Sequence, residues 1–338
     1  MKILWIIHGY VPSLNAGAEY YAHNLNKYLI SKGHKVCVLV PEKYADKTNE
    51  NTCYEGVNIN ITDVKAERDA LAEWCDIVMT HLDYTEIAMN YINSYKPIVW
   101  VSHNTHFDSY KKVGNNANLS IIYNSNAMRE MGKDKFMNDS FVLRPPISLK
   151  RPLNKKEPNP FNNEYITLIN CNKNKGGEIL RELAQKMPYK KFLAVTGAYE
   201  KQILELTPNV TVEPPTTNIQ KIYDKSRIIL MPSFYESWGM VASEAIENGI
   251  PVIANRTFGL EENLADAGTY CPLDNVKKWI QSIKLLDNKV IYDLKSKQSL
   301  ERAKEQKLMN KKELRDCEIF LLNKIELFKK THNINVLD

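Results

Sequence analysis

Short apolar runs alternate with segments of helical period along this chain, and the alternation begins twice. In the first half, Lys2–Ile7, Lys35–Val40, Val57–Ile61, Ile77–Thr80, Ile98–Ser102, Ser120–Asn124 and Ser140–Leu143 read as buried strands. Between the first two, residues Ala18–Ser31 place Tyr21, Leu25, Tyr28 and Leu29 at helical spacing, and Gly33 then breaks the helix. A second series follows, with strands at Tyr165–Ile169, Lys191–Val195, Val210–Glu213, Ile228–Pro232 and Pro251–Ala254. Helices are predicted over Gly177–Lys186, Ile219–Lys225 and Met240–Asn248. Two doubly wound parallel α/β units account for this order of elements.

Length supports the same division, because 338 residues exceed what one core usually grows to. Between Arg144 and Asn163 the periodicity gives way to prolyl and polar residues, the composition of a linker. The predicted division is residues 1–147 for the first domain, 148–163 for the linker and 164–310 for the second domain. Residues 311–338 are predicted to return as a C-terminal helix. Beyond Asn275 the pattern is helical throughout, and Leu314, Cys317, Leu321, Ile325 and Phe328 form one apolar stripe. A stripe of this kind packs against a domain surface.

Charge changes the picture only near the C-terminus. Residues 1–150 hold 16 basic and 16 acidic side chains, whereas 277–331 hold 15 and 8, so the excess of +7 is local. Solvated helix faces account for it; a nucleic acid or an anionic membrane surface is compatible with it but not demanded. Six cysteines stand far apart without a CxxC pair, which suits a reduced, cytoplasmic compartment. No run approaches the roughly 20 apolar residues of a membrane span, and Ile3–Ile7 is too short for a signal core.

The most informative segment is Met231–Ala254, in which a strand ends at Pro232, a loop holds Glu236 and Gly239, and a helix carries Glu244. Ligands of open α/β sheets bind past the carboxyl ends of strands. Backbone N–H groups of Trp238, Gly239 and Met240, with Ser237 beside them, suit an anion such as a diphosphate at the helix start. Gly239 permits close approach of the chain. Ionised Glu236 and Glu244 only accept hydrogen bonds, so they suit sugar and ribose hydroxyls and not phosphate oxygens.

This run resembles the E-x7-E signature of the retaining glycosyltransferases of family 4, matching at Pro232, Ser233, Glu236, Gly239, Glu244, Ala245, Gly249 and Pro251. The resemblance implies the GT-B fold, two Rossmann-like doubly wound domains facing a central cleft. It implies further that Glu244 holds the donor ribose and Glu236 the donor sugar, with the amides of Trp238 to Met240 near the diphosphate. Residues Gly9–Pro12 through Asn15-Ala16-Gly17-Ala18-Glu19 look like the family's Pro-to-GGxE loop, with Ala16 in place of the first glycine and Gly17 retained for donor approach. Gly33-His34-Lys35-Val36 is similar to its entry into the second strand.

Leu168–Gly177 resembles the loop in which the family clamps the diphosphate between an Arg and a Lys. Lys175 matches, but Asn170 stands at the arginine position; Lys173 is the candidate replacement, though an ammonium lacks the guanidinium fork. Histidines show no metal-ligand spacing. His103 follows a strand where the family places a histidine near the reaction centre, and His81 and His106 are weaker candidates. Asp-x-Asp, the motif that recruits Mg²⁺ or Mn²⁺ to nucleotide phosphates in another glycosyltransferase fold, does not occur. The expectation is a metal-independent transferase without a cofactor, taking a UDP- or GDP-sugar as donor and transferring with retention by front-face attack.

The acceptor stays unassigned: a glycan or small molecule leads, with hydroxymethylated DNA bases and lipid-linked acceptors open. Other classes remain beside this one. A nicotinamide oxidoreductase would need a GxGxxG turn, which is lacking. A sugar-nucleotide epimerase or phosphorylase would keep the fold, and a non-catalytic sugar-nucleotide-binding module is suggested by Asn170.

Overall fold

The computed structural model describes residues 1–42, 52–92, 95–107, 116–147, 160–197, 200–205 and 207–333. The chain divides into two units, Met1–Pro146 with Asn310–Asp338, and Ile147–Met309. Most of the expected linker, residues 148–159, lies outside the described residues.

In the first unit the strands are β1 (Lys2–Ile6), β2 (Lys35–Val40), β3 (Thr52–Tyr54), β4 (Val57–Ile61), β5 (Ile77–His81), β6 (Ile98–Ser102), β7 (Leu119–Tyr123) and β8 (Ser140–Val142). They form one sheet in the order β3-β4-β2-β1-β5-β6-β7-β8. All pairings are parallel except that of β3 with β4. β5, β6 and β7 are buried at every position, as their largely apolar sequences require. Helix α1 (Gly17–Ser31) covers the sheet with Tyr21, Leu25 and Leu29. Gly33, at φ +85, makes the sharp reversal into β2 that the sequence anticipates. The remaining helices of this stretch are α2 (Lys65–Trp74), α3 (Tyr84–Ile92) and α4 (Asn126–Gly132).

The second unit contains β9 (Tyr165–Ile169), α5 (Gly177–Lys186), β10 (Lys191–Val195), β11 (Val210–Glu213), α6 (Gln220–Tyr223), β12 (Ser226–Met231), α7 (Met240–Glu247), β13 (Val252–Ala254), α8 (Phe258–Leu264), β14 (Thr269–Tyr270) and α9 (Val276–Leu285). Its sheet is wholly parallel, in the order β11-β10-β9-β12-β13-β14. One core packs Leu180, Leu183 and Trp279 against one face, and another packs Ala242, Ile246 and Leu260 against the other.

Helix α10 runs without a break from Lys289 to Thr331. Its residues up to Met309 belong to the second unit, where Arg302 and Gln306 donate to the Asn263 carbonyl at 2.7 and 2.8 Å. From Asn310 it belongs to the first unit, burying the stripe Cys317, Leu321, Ile325 and Phe328. There Glu313 binds Arg144, and Glu318 meets His34 at 2.8 Å. No helix among the described residues is long and apolar enough to cross a membrane.

Each sheet has a topological switch, where neighbouring strands send their connections to opposite sides: between β1 and β5 in the first unit and between β9 and β12 in the second. A crevice opens at the carboxyl end of the strands at such a point. The candidate residues collect at these two places.

Candidate functional site

In the second unit, the loops after β9 and β12 hold the predicted donor residues. Gly176, at φ +83, caps α5, and a Cβ there would stand 2.4 Å from the Pro232 carbonyl oxygen. Glycine therefore lets these two loops touch, and Phe234 N–H donates across them to the Asn174 carbonyl at 2.9 Å. The result brings Lys175 to Glu236, Nζ to Oε1 at 2.5 Å, while the Ser233 hydroxyl donates to the same oxygen at 2.9 Å. Glu236 is buried and its orientation is set from both sides.

Gly239 is the N-cap of α7 at φ +84 and ψ 74. Its carbonyl and that of Trp238 both accept from the buried Asn263 amide, at 3.0 and 2.9 Å. Because N–H and C=O point oppositely in a trans peptide, the amides of Gly239 and Met240 are directed away from Asn263. Trp238 is buried, and its indole N–H donates to Ser243 at 3.0 Å. Ser237 is half-buried in the same turn. A fixed turn at a helix start, with its amides directed away from Asn263 and Lys175 held on the nearby Glu236, is suited to a diphosphate.

Glu244, one turn into α7, accepts from the Tyr223 hydroxyl at 2.6 Å. Burial pushes its carboxyl up to about 7; the Tyr223 hydrogen bond opposes this and Glu247 adds to it. Glu247 is itself paired with Lys307. Tyr223 and Asn263 were not visible as site residues in the sequence, because their contacts cross from other elements.

Two clamp residues differ in their placement. Lys173 is exposed at the tip of the loop, and the hydrogen bond to Glu236 comes from Lys175. Asn170 has φ +67, a left-handed conformation that asparagine tolerates well. Its side-chain oxygen accepts from Gln202 at 3.1 Å, and its amide group lies where a Cβ on Gly197 would clash. Asn170 is thus built into the loop as a turn residue.

In the first unit, His8 follows β1, His81 ends β5 and His103 follows β6. β1, β5 and β6 are neighbours, so the three rings meet: His8 to His81 at 5.9 Å and His81 to His103 at 5.2 Å between centroids. Tyr21 packs edge-on to His103 at 5.0 Å. Burial lowers the His103 pKa to about 3 and holds His81 well below the ordinary histidine range, where His103 and His8 push it further. Burial also lowers that of His8, against Asp83. The cluster is therefore neutral near pH 7.

Gly17 is exposed at the first position of α1. Two residues on, Glu19 is fully buried and its Oε1 lies 3.5 Å from His8 Nε2. His106 is exposed, with its backbone N–H bonded to Asn104. His8, Glu19 and His81 each offer a ligand atom, all within 4.8 Å of one another. Sequence spacing concealed this group, because its members come from three elements.

Residues 160–318 match the family model described as glycosyl transferases group 1. Among curated relatives, the D-inositol 3-phosphate glycosyltransferase of Mycobacteroides abscessus is 29% identical over 125 residues, covering 32% of this chain and 28% of that protein. That of Corynebacterium glutamicum is 40% identical over 70 residues, covering 21% and 16%. The matched part of the chain thus spans only 28% and 16% of the length of these two relatives.

Among solved structures, sucrose-phosphate synthase from Thermosynechococcus elongatus superposes with a TM-score of 0.78 at 15% identity, covering 97% of this chain and 100% of that one. The Anabaena HepE structure, in complex with UDP and glucose, gives 0.71 at 15% identity, covering 94% and 99%. The lipopolysaccharide-biosynthesis glycosyltransferase WaaG gives 0.67 at 13% identity, covering 89% and 95%. The fold is therefore GT-B, and residues 160–318 carry the sequence pattern of the glycosyl transferases group 1 family.

Proposed function

We propose that the protein is a retaining glycosyltransferase of family 4 that takes a nucleotide-diphosphate sugar as donor. The observation that carries this reading is the turn from β12 into α7, where Asn263 fixes the Trp238 and Gly239 carbonyls and leaves the following amides directed away from it. Glu236 and Glu244 flank that turn, one held by Lys175 and Ser233 and the other by Tyr223. A diphosphate at the α7 N-terminus would have acceptors for sugar hydroxyls on one side and for ribose hydroxyls on the other.

In this reading Glu244 accepts from the ribose and Glu236 from the donor sugar. Ser237, Trp238, Gly239 and Met240 line the donor path, with the exposed Lys173 at its margin, and Lys175 with the amides stabilises the diphosphate as it leaves. His103, neutral at pH 7, presents a hydrogen-bonding edge to the reacting sugar. Transfer proceeds through an oxocarbenium-like state with attack on the face from which the diphosphate departs, and the leaving phosphate takes the acceptor proton. Phosphate charge is neutralised by these groups and not by Mg²⁺ or Mn²⁺. The donor carries UDP or GDP; a glycan or small molecule is the favoured acceptor, and the chemistry takes place in the cytoplasm without a cofactor.

A thermal-shift panel of UDP, GDP, ADP and their sugars identifies the donor, and mass spectrometry of the reaction with candidate acceptors follows the product. One nucleotide family should raise the melting temperature. Failure of every nucleotide to do so would overturn the reading, and activity of chelator-treated protein that requires added Mg²⁺ or Mn²⁺ would overturn its metal independence. Asn170 favours one competing reading, a module that binds donor without turnover; a shift with UDP-sugar but no product from any acceptor, and no hydrolysis, would support that instead.

A further inference from the structure

We infer that the first unit contains a binding site for a borderline-soft divalent cation, zinc by its chemistry, formed by His8, Glu19 and His81. The three side chains come from the loop after β1, the first turn of α1 and the end of β5. They meet at the carboxyl end of the sheet beside its topological switch. Their ligand atoms lie within 4.8 Å of one another. One pair, His8 Nε2 and Glu19 Oε1, stands at 3.5 Å. A tetrahedral ion with bonds of about 2.1 Å separates its ligands by about 3.4 Å, so that pair already has the required span, and the third needs only a side-chain adjustment.

A second observation points to a ligand independently of this spacing. His81 is fully buried, yet neither of its ring nitrogens has a hydrogen-bond partner among the described residues. A buried polar atom left without a partner costs about 1–3 kcal/mol, and a coordinated cation removes that cost at one of the two nitrogens. Glu19 is equally buried, and its charge offsets that of an entering ion. His8 is the member with some solvent access, its side chain 18% exposed, and gives the ion a route in.

Two imidazole nitrogens and one carboxylate oxygen favour zinc over Mg²⁺, which prefers an all-oxygen shell and retains its waters. Three protein ligands leave a fourth position for water or an oxygen of a bound molecule. The site requires nothing of the donor residues in the second unit, and the proposed donor chemistry requires nothing of it.

The test is calorimetric titration of zinc sulfate into chelator-treated full-length protein, compared with His8→Ala and Glu19→Gln, with circular dichroism confirming that each variant is folded. Wild type should bind one equivalent, and each variant should lose at least 100-fold in affinity. Cobalt(II) in place of zinc should give the visible absorption of a four- or five-coordinate ion in wild type and not in His8→Ala. Absence of binding to wild type, or equal zinc affinity in wild type and both variants, would overturn the site. Should Glu19→Gln fail to fold, His8→Ala alone decides. Affinity for UDP or GDP, measured on the same samples, reports on the donor reading and is expected to be equal in wild type and His8→Ala.

Discussion

Replacing Glu244 by Gln should stabilise the ligand-free protein while weakening its hold on nucleotide. Burial places the Glu244 carboxyl at about 7, against an ordinary value of 4.5. Raising a pKa by one on folding corresponds to about 1.4 kcal/mol, so holding this carboxylate ionised costs the fold up to roughly 3 kcal/mol. The folded state binds more protons than the unfolded state between about 4.5 and 7, so stability falls as pH rises through this window and the loss is complete above it. Glutamine keeps an oxygen to accept from Tyr223, now 2.6 Å from the carboxylate, but carries no charge. Glu244→Gln should therefore melt higher than wild type at pH 8 and match it near pH 5. Nucleotide binding should move the other way, because two hydroxyls lose a charged acceptor, roughly 2 kcal/mol or about 30-fold. Differential scanning calorimetry from pH 5 to 8, with nucleotide titration at pH 8, measures both. A variant less stable than wild type at pH 8 would refute the claim that an unfavourable charge is held there for a ligand.

Other substitutions probe separate parts of the molecule. Gly239→Ala places a Cβ 2.7 Å from Leu260 Cδ2 at a backbone φ of +84; a loss of about 1–3 kcal/mol in denaturant unfolding, with weakened nucleotide binding, is expected. Lys175→Met removes the cation beside Glu236 and should reduce donor affinity roughly tenfold or more in titration, whereas Lys173→Met should alter it little. His103→Ala should lower kcat more than it raises KM. Since the His103 pKa lies near 3, its ionisation should leave no limb in the wild-type kcat profile between pH 5 and 8. Arg144→Leu would strand the half-buried Glu313, whose pKa burial already raises; a cost of about 1–3 kcal/mol in unfolding is expected.

Buried parallel strands are the part of this fold that sequence reveals most directly, since both faces are covered and the runs are mainly apolar, as in β5 and β6. The two strands missing from the sequence reading, β3 and β14, are short edge elements of three and two residues with no fully buried position. Helix α2 has no buried residue, and its sequence is predominantly polar.

The site was legible to the same degree. Local spacing pointed to Glu236, Gly239 and Glu244 as candidates, and the family resemblance to Lys175. It could not show Tyr223 on α6, Asn263 on α8, or the meeting of His8 with His81, since those pairings follow from strand order. Asn170 stands where the resemblance expects a clamp arginine, and its left-handed conformation and bond to Gln202, which the sequence did not show, make it a turn residue as well.

The proposed activity depends on a nucleotide held between the α7 N-terminus and the ribose acceptor Glu244. Its decisive check is calorimetric titration of UDP and GDP into wild type and Glu244→Ala, at pH 8 where the carboxyl is ionised. Saturable binding of one nucleotide to wild type is expected, with at least tenfold weaker binding to the variant. Equal affinity in the two proteins, or no binding of either nucleotide to wild type, would contradict the assignment.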